Sequence, residues 1–270
     1  MFLMFLWLNN NLPPSCVSNE GDFYFLIFAE QKSGNYVIIM HMNEVGTLYI
    51  IATPIGNLED ITFRAVRILS EVDYILCEDT RTTQNLLDRY NIKAKTMSYH
   101  AHSSDGKENT ILNLLKNGKN LALVSDAGTP CISDPGVLLV SNVYKEFGND
   151  AKVVPVPGAS ALISALSASG VSSAEFLFLG FIPHKKGRET IFKEISNSKR
   201  VIVFYESVHR IIKTLASLEK YSSNFDITLA RELTKQFEEF VKGKPKEVAD
   251  YFEVNKEKLK GEFVVIVEPK

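Results

Sequence analysis

A strong charge of either sign is missing from this 270-residue chain, whose 30 Lys+Arg and 32 Asp+Glu leave −2 at pH 7. Composition therefore argues against a general polyanion binder, yet a local basic patch stays open because only contacting charges release counterions. Cysteine is scarce: Cys16, Cys77 and Cys131 lie far apart, with no CxxC and no Cys/His ligand spacing. That argues against a disulfide framework and structural zinc, and fits a reducing compartment. The apolar runs MFLMFLWL and Phe23 to Ala29 are too short to span a bilayer, and the first has neither a basic n-region nor a small-residue cleavage site. There is no GxxxxGK[ST], which excludes a P-loop NTPase, and no GxGxxG after the first strand, which disfavours a standard dinucleotide fold. GxSxG, internal repeats, heptads and low-complexity tracts are absent too.

What remains is an ordinary globular composition, 45% hydrophobic and 23% charged with 15 Gly and 10 Pro, long enough for one large or two modest domains. Residues 1–45 stand apart. Glu20, Asp22, Glu30 and Glu44 face Lys32 alone, a net of −3, so the rest of the chain carries +1 of the total −2. They read as an extension, upstream of a body that starts near Met42, either a misplaced start or a poorly ordered segment. The body divides into 46–168 and 169–270 at the small, polar ASGVSSAE.

Short β-rich runs alternate with helical patterns in the first part. Strands are expected at Leu48–Ala52, Tyr74–Cys77, Lys95–Tyr99, Leu121–Val124 and Val153–Pro155. Between and after them come helices at 61–72, 82–90, 108–115, 137–147 and 160–168. Strict alternation predicts a parallel, doubly wound α/β sheet with its ligand crevice at the strand C-termini. In the second part, strands at 176–181, 201–205, 227–230, 237–241 and 263–267, with helices near 189–196, 207–218 and 245–252, predict a mixed α/β sheet. Its strands 227–230 and 237–241 are expected to pair antiparallel.

Chemistry gathers at the strand ends. LALVSDAGTPCISDPG runs from a buried strand into a loop of glycines, prolines, hydroxyls and carboxylates, the composition of a site that reads sugar hydroxyls and backbone-sized groups. TPIGNLEDIT is a second such loop, and PGASA a tight strand-to-helix turn whose first N–H groups can meet a polar ligand. CEDTRTT places Glu78, Asp79 and Arg81 at another strand end, where an N-cap or a local ion pair is the plain alternative. His100 and His102 in SYHAHSS share a strand face, but without a third ligand they read as polar or substrate-facing rather than metal-binding. FYESVHR and ARELTKQFEE end second-part strands in charge, and HKKGR is a basic loop that suits phosphate if it lies beside a crevice. From residues alone this is an enzyme that binds a nucleoside-like small molecule between two α/β domains.

TPIGNLEDIT, CEDTRTT, SYHAH, VSDAGTPCISDPG, VPVPGASA, FYESVHR and ARELTKQFEE, in that order and spacing, resemble the ribosomal RNA small subunit methyltransferase I family. That family belongs to the tetrapyrrole-methylase-like S-adenosylmethionine enzymes, and the resemblance runs from about Gly46 to Pro269. It implies two α/β domains of the tetrapyrrole methylase type with the cofactor cleft between them, in a cytoplasmic, homodimeric enzyme without metal or membrane. The implied reaction transfers the methyl of S-adenosylmethionine to the ribose 2′-hydroxyl of a cytidine in the decoding region of 16S rRNA, within the small ribosomal subunit. Carried onto this chain, it implies cofactor contacts from Pro54, Gly56 and Asn57, from Asp126, Gly128 and Thr129, from Ser160 and Ala161, and from Tyr205 and Glu206. Asp79 or Glu232 is expected to accept the hydroxyl proton, with Arg81, Arg231 and Lys235 holding phosphate or alkoxide; the alternative is that desolvation and alignment suffice and the proton goes to water. A tetrapyrrole C-methyltransferase is the nearest rival, disfavoured because TPIGNLED stands where a GxGPGD-like loop is typical. A non-catalytic cofactor- or RNA-binding module would leave the charged strand ends idle.

Overall fold

The computed structural model describes residues 30–32, 35–37, 44–100 and 105–269; His102 and most of the N-terminal extension lie outside them. Within the extension, β1 (Glu30–Lys32) pairs antiparallel with β2 (Asn35–Val37).

The first large sheet contains β3 (Thr47–Ile51), β4 (Tyr74–Cys77), β5 (Lys95–Ser98), β6 (Leu121–Val124) and β7 (Lys152–Val156), all parallel, in the order β5-β4-β6-β3-β7. Its central strands β4 and β6 are apolar throughout because both faces are covered, while the edge strands β5 and β7 carry Lys95 and Lys152. Ile75, Ala122 and Val124 face α1 (Phe63–Glu71) and α2 (Thr80–Arg89), while Leu48, Leu76, Leu121 and Leu123 face α3 (Asp105–Lys116) and α4 (Val137–Phe147). The period-2 alternation of each strand thus feeds two separate cores.

The second sheet runs β11-β10-β12-β9-β8, from β8 (Phe176–Phe181), β9 (Val201–Ser207), β10 (Asp226–Arg231), β11 (Glu239–Gly243) and β12 (Glu262–Glu268). Only β8 and β9 are parallel, so the sheet is mixed as expected. One face is covered by α6 (Arg188–Ser196), α7 (Ile211–Ser222) and α8 (Pro245–Val254). The other receives α5 (Ala161–Ser169), whose Leu162, Ala165 and Leu166 pack on Val203, Ala230, Val264 and Ile266. By chain position α5 ends the first α/β run; by packing it lies on the second sheet.

Several expected boundaries shift by one to four residues, and two of the shifts have a visible local reason. The helix expected from Ser207 starts at Ile211, because β9 continues through Ser207 and a turn closes with Arg210 N–H donating to the Ser207 carbonyl. The strand expected from Phe237 starts at Glu239, because Glu232 and Thr234 take left-handed φ of 49° and 65° and fold residues 232–238 into a tight loop.

Candidate active site

The loops that follow β3 and β6 are stitched to each other. Thr53 N–H donates to the Gly128 carbonyl at 2.9 Å and Gly128 N–H returns to the Thr53 carbonyl at 3.0 Å. The buried Thr53 hydroxyl adds a bond to the Ser125 carbonyl at 3.0 Å. Gly128 sits at φ 87°, a conformation that L side chains rarely adopt, and the Thr129 hydroxyl beyond it donates to the Ala159 carbonyl at 3.2 Å. Three strand ends therefore form one rigid rim.

The second sheet meets this rim closely. A Cβ at Gly56 would stand 2.6 Å from Lys235 Cγ and 3.0 Å from the Leu233 carbonyl, so only glycine lets the TPIGN loop lie against the loop after β10. Tyr205, at the end of β9, accepts the Leu162 N–H at 3.2 Å. Ser160 stands at the N-cap of α5 but makes no side-chain cap bond, so a phenol from the sheet on which α5 packs does that work.

Between the two sheets these contacts enclose a cavity of about 240 Å³. Ile55, Ile132, Leu233, Phe181 and Val264 make its apolar wall; Asp126, Asp134, Glu232 and Glu262 face it with Lys235 as the cation. Ser133, at φ 63°, and Glu232 are both lining residues held in the left-handed region, which costs of order 1 kcal/mol each and is characteristic of functional loops.

The cavity is acidic. Burial pushes the Asp134 carboxyl up to about 6, and the nearby Glu78, Asp126 and Glu262 add to the rise. Burial also raises Glu78, with Asp126 as the main repulsive neighbour, and Glu78 Oε1 is buried without a hydrogen-bond partner. Four carboxylates against Lys235 leave the site with an excess of negative charge, and a cationic group would relieve the repulsion among them.

Of the residues singled out in the sequence, Asp126, Gly128, Thr129, Ser160, Ala161, Tyr205, Glu232 and Lys235 come together around this cavity. The others do not line it. Pro54 lines a smaller cavity of about 50 Å³ that it shares with Asp126. Asn57 caps the 3-10 turn Leu58–Asp60 by accepting Glu59 N–H at 3.1 Å. Asp79 is the N-cap of α2; it accepts Arg81 N–H at 2.8 Å and pairs with the Arg81 guanidinium at 2.7 Å, which holds its carboxyl down at about 2. A carboxylate so held is a poor proton acceptor at neutral pH, and the exposed Arg81 is turned to it. Arg231 is buried, bonded to the Phe237 carbonyl at 3.0 Å and Glu239 at 3.2 Å, instead of facing a substrate. Glu206 is fully buried against Arg188, Arg210 and Thr214, and its side chain does not line the cavity.

Glu262 is the pocket acid that strand-end reasoning missed: it opens β12 with no local signal. Asp134 stands in the SDPG of the first quoted loop, whose carboxylates are expected to face a ligand, although the family resemblance did not single it out. Among the described residues no cluster of His, Cys, Asp and Glu could hold a metal, and no helix is long and apolar enough to cross a membrane.

A family model described as Tetrapyrrole (Corrin/Porphyrin) Methylases matches residues 47–249. The protein named ribosomal RNA small subunit methyltransferase I from Thermotoga maritima is 45% identical over 226 residues, covering 84% of this chain and 100% of that one. Its namesake from Halalkalibacterium halodurans is 44% identical over 227 residues, 84% of this chain and 77% of the other. Among solved structures, a cobalt precorrin-4 methyltransferase superposes with a TM-score of 0.60 at 17% identity, covering 82% of this chain and 94% of that one. Uroporphyrin-III C-methyl transferase from Thermus thermophilus, solved with S-adenyl homocysteine, gives a TM-score of 0.58 at 15% identity over 83% of this chain and 97% of its own. The two structural likenesses concern the fold.

Proposed function

The chain belongs to the tetrapyrrole methylases and, within them, to the ribosomal RNA small subunit methyltransferase I family, and from that membership we propose that it methylates RNA of the small ribosomal subunit with S-adenosylmethionine. The acceptor is the ribose 2′-hydroxyl of a cytidine in the decoding region of 16S rRNA. The observation that carries the cofactor assignment is the acidic cavity between the sheets, where Asp126, Asp134 and Glu262 supply the negative potential a sulfonium and an ammonium require.

The residues present fit that donor. Gly128 lets backbone approach closely, and the N-terminus of α5, with Ser160 and Ala161 on the cavity, suits a carboxylate. When bound, S-adenosylmethionine supplies a methyl carbon made electrophilic by the sulfonium it leaves. Ile55, Ile132, Phe181 and Leu233 give the cavity an apolar wall. A rim held by the Thr53–Gly128 and Thr129–Ala159 hydrogen bonds would position a bound donor, and in-line positioning can supply about 7–11 kcal/mol of the barrier. Methyl transfer would form the O–C bond as the S–C bond breaks to a neutral thioether; Glu232, on the cavity, would accept the hydroxyl proton, and Lys235, 2.9 Å from it, would face the developing negative oxygen. Asp79, Arg81 and Arg231 have no part in this step.

The enzyme acts in the cytoplasm as a homodimer. Exposed Val137 and Leu138 on α4, and Phe176 and Leu177 on the edge strand β8, are apolar surface that a second copy would cover.

Purified protein incubated with methyl-tritiated S-adenosylmethionine tests the assignment. Label in 16S rRNA of small subunits, recovered as 2′-O-methylcytidine by nucleoside mass spectrometry, is the expected result. Label in uroporphyrinogen or precorrin instead, or none in either, would overturn it.

A further inference from the structure

The buried Glu206 is the hub of a brace. Its carboxylate accepts Ser207 N–H at 2.9 Å and the Thr214 hydroxyl at 2.6 Å, and pairs with Arg210 at 2.6 Å and Arg188 at 3.6 Å. Arg188 also donates to Thr214 at 2.7 Å. Two guanidiniums on one carboxylate leave a net positive charge in a place where charge is expensive. Both arginines then grip one stretch of chain: Arg210 donates to the Ile182 carbonyl at 2.7 Å and Arg188 to the Pro183 carbonyl at 3.4 Å.

That stretch is the exit from β8, whose last residue, Phe181, lines the cavity. Residues 184–187 follow, all exposed, with Arg188 N–H closing a turn onto the Lys185 carbonyl and Gly187 at φ 83°. His184 lies within about 11 Å of Phe181 by chain length and Lys186 within about 18 Å. Among the described residues neither Lys185 nor Lys186 has an acidic partner within 4.0 Å. A basic run on an ordinary loop is merely solvated; this one is clamped at its root by buried charge, on the segment that leaves the cavity wall at Phe181.

We propose that the 184–186 loop is a grip for RNA phosphates beside the methyl-acceptor nucleotide, and that Glu206 is the positioning residue that aims it through Arg188 and Arg210. The inference rests on the reading of the substrate as RNA. Lysine ammonium groups donate to phosphate oxygens without reading bases, so the loop sets register while the pocket selects the nucleotide. The chain's near-neutral charge is no obstacle, since the grip is local.

The test is binding of a single-stranded decoding-region 16S rRNA oligonucleotide to the full chain between 50 and 200 mM KCl, by fluorescence anisotropy. Wild type is compared with Lys185→Ala/Lys186→Ala. The variant is expected to lower the slope of log K against log salt by about 1.4, or about 0.7 for each lost phosphate contact, with S-adenosylmethionine affinity unchanged. Glu206→Gln with both lysines present is expected to lose a similar slope, and to lose little more when combined with the lysine changes. An unchanged slope in the lysine variant overturns the inference, as does inorganic phosphate competing at concentrations that match its charge alone. If Glu206→Gln fails to fold, the lysine variant still decides. Wild type that neither binds nor methylates RNA overturns the functional assignment instead, which separates the two failures.

Discussion

Tyr205 and Leu162 tie α5 to the second sheet through one hydrogen bond: the phenol oxygen on β9 accepts the N–H of the first turn of α5 at 3.2 Å. Because Ser160 and Ala161 of that same turn line the cavity, the bond fixes a cavity wall as well as a helix end. Tyr205 is packed edge-on against Phe178 at 5.0 Å, so its ring is held for this task.

Tyr205→Phe keeps the ring packing and removes the acceptor. The expected result is a loss of about 1 kcal/mol in unfolding free energy, from the orphaned amide, together with several-fold weaker S-adenosylmethionine binding. Urea titration and calorimetry check both. Unchanged affinity would mean that the turn of α5 is held by something else.

Asp134, pushed up to about 6, makes cofactor binding depend on pH. Below that pH the free protein carries a proton that a cationic ligand must expel. Affinity for S-adenosylmethionine is therefore full above pH 6 and falls as the pH drops through it, by up to about tenfold per unit. S-adenosylhomocysteine, neutral at sulfur, is expected to show a shallower fall, and Asp134→Asn to flatten both. Calorimetric titrations from pH 5 to 8 read this directly; parallel curves for the two ligands would contradict it.

The same residue sets a stability trade. A carboxyl whose folded pKa lies above its unfolded value favours the folded state only while protonated, and that contribution is lost as the pH rises through 6. Asp134→Asn is expected to stabilise the free protein by ~1 kcal/mol at pH 7.5, the full linkage value being reduced by partial solvation, while weakening cofactor binding. A lower melting temperature at that pH would count against the acidic-cavity account.

Asp79 and Arg81 are expected to behave as surface structure. Arg81→Ala leaves methyl transfer within about twofold of wild type, because its charge is solvated and turned to Asp79. Asp79→Ala lowers the melting temperature by removing the α2 cap, with kcat little changed. A collapse of kcat in either variant, at unchanged fold and cofactor affinity, would restore them to the chemistry.

Much of the fold was readable because the signals are local. β4, β6 and β8 appear where their apolar runs stand, with both ends in place, since each run is bounded by polar or glycine-containing loops. The site was less readable for a physical reason. A carboxylate at a strand end looks the same in sequence whether it caps the next helix, as Asp79 does, pairs within a buried brace, as Glu206 does, or faces a cavity, as Asp126 does. What separates them is a partner far along the chain, such as Arg188 for Glu206. Glu262 joins the cavity only because β12 lies between β9 and β10, an order that no periodicity reveals. The packing of α5 on the second sheet is hidden in the same way.

Asp126 carries the account's central claim, that an acidic cavity between the sheets holds the methyl donor. It stands at the tip of β6, lines both cavities and accepts Asp79 N–H at 3.1 Å. Isothermal titration of S-adenosylmethionine into Asp126→Ala is the direct measurement. The account predicts binding weakened beyond detection in a folded protein; affinity equal to wild type would contradict it.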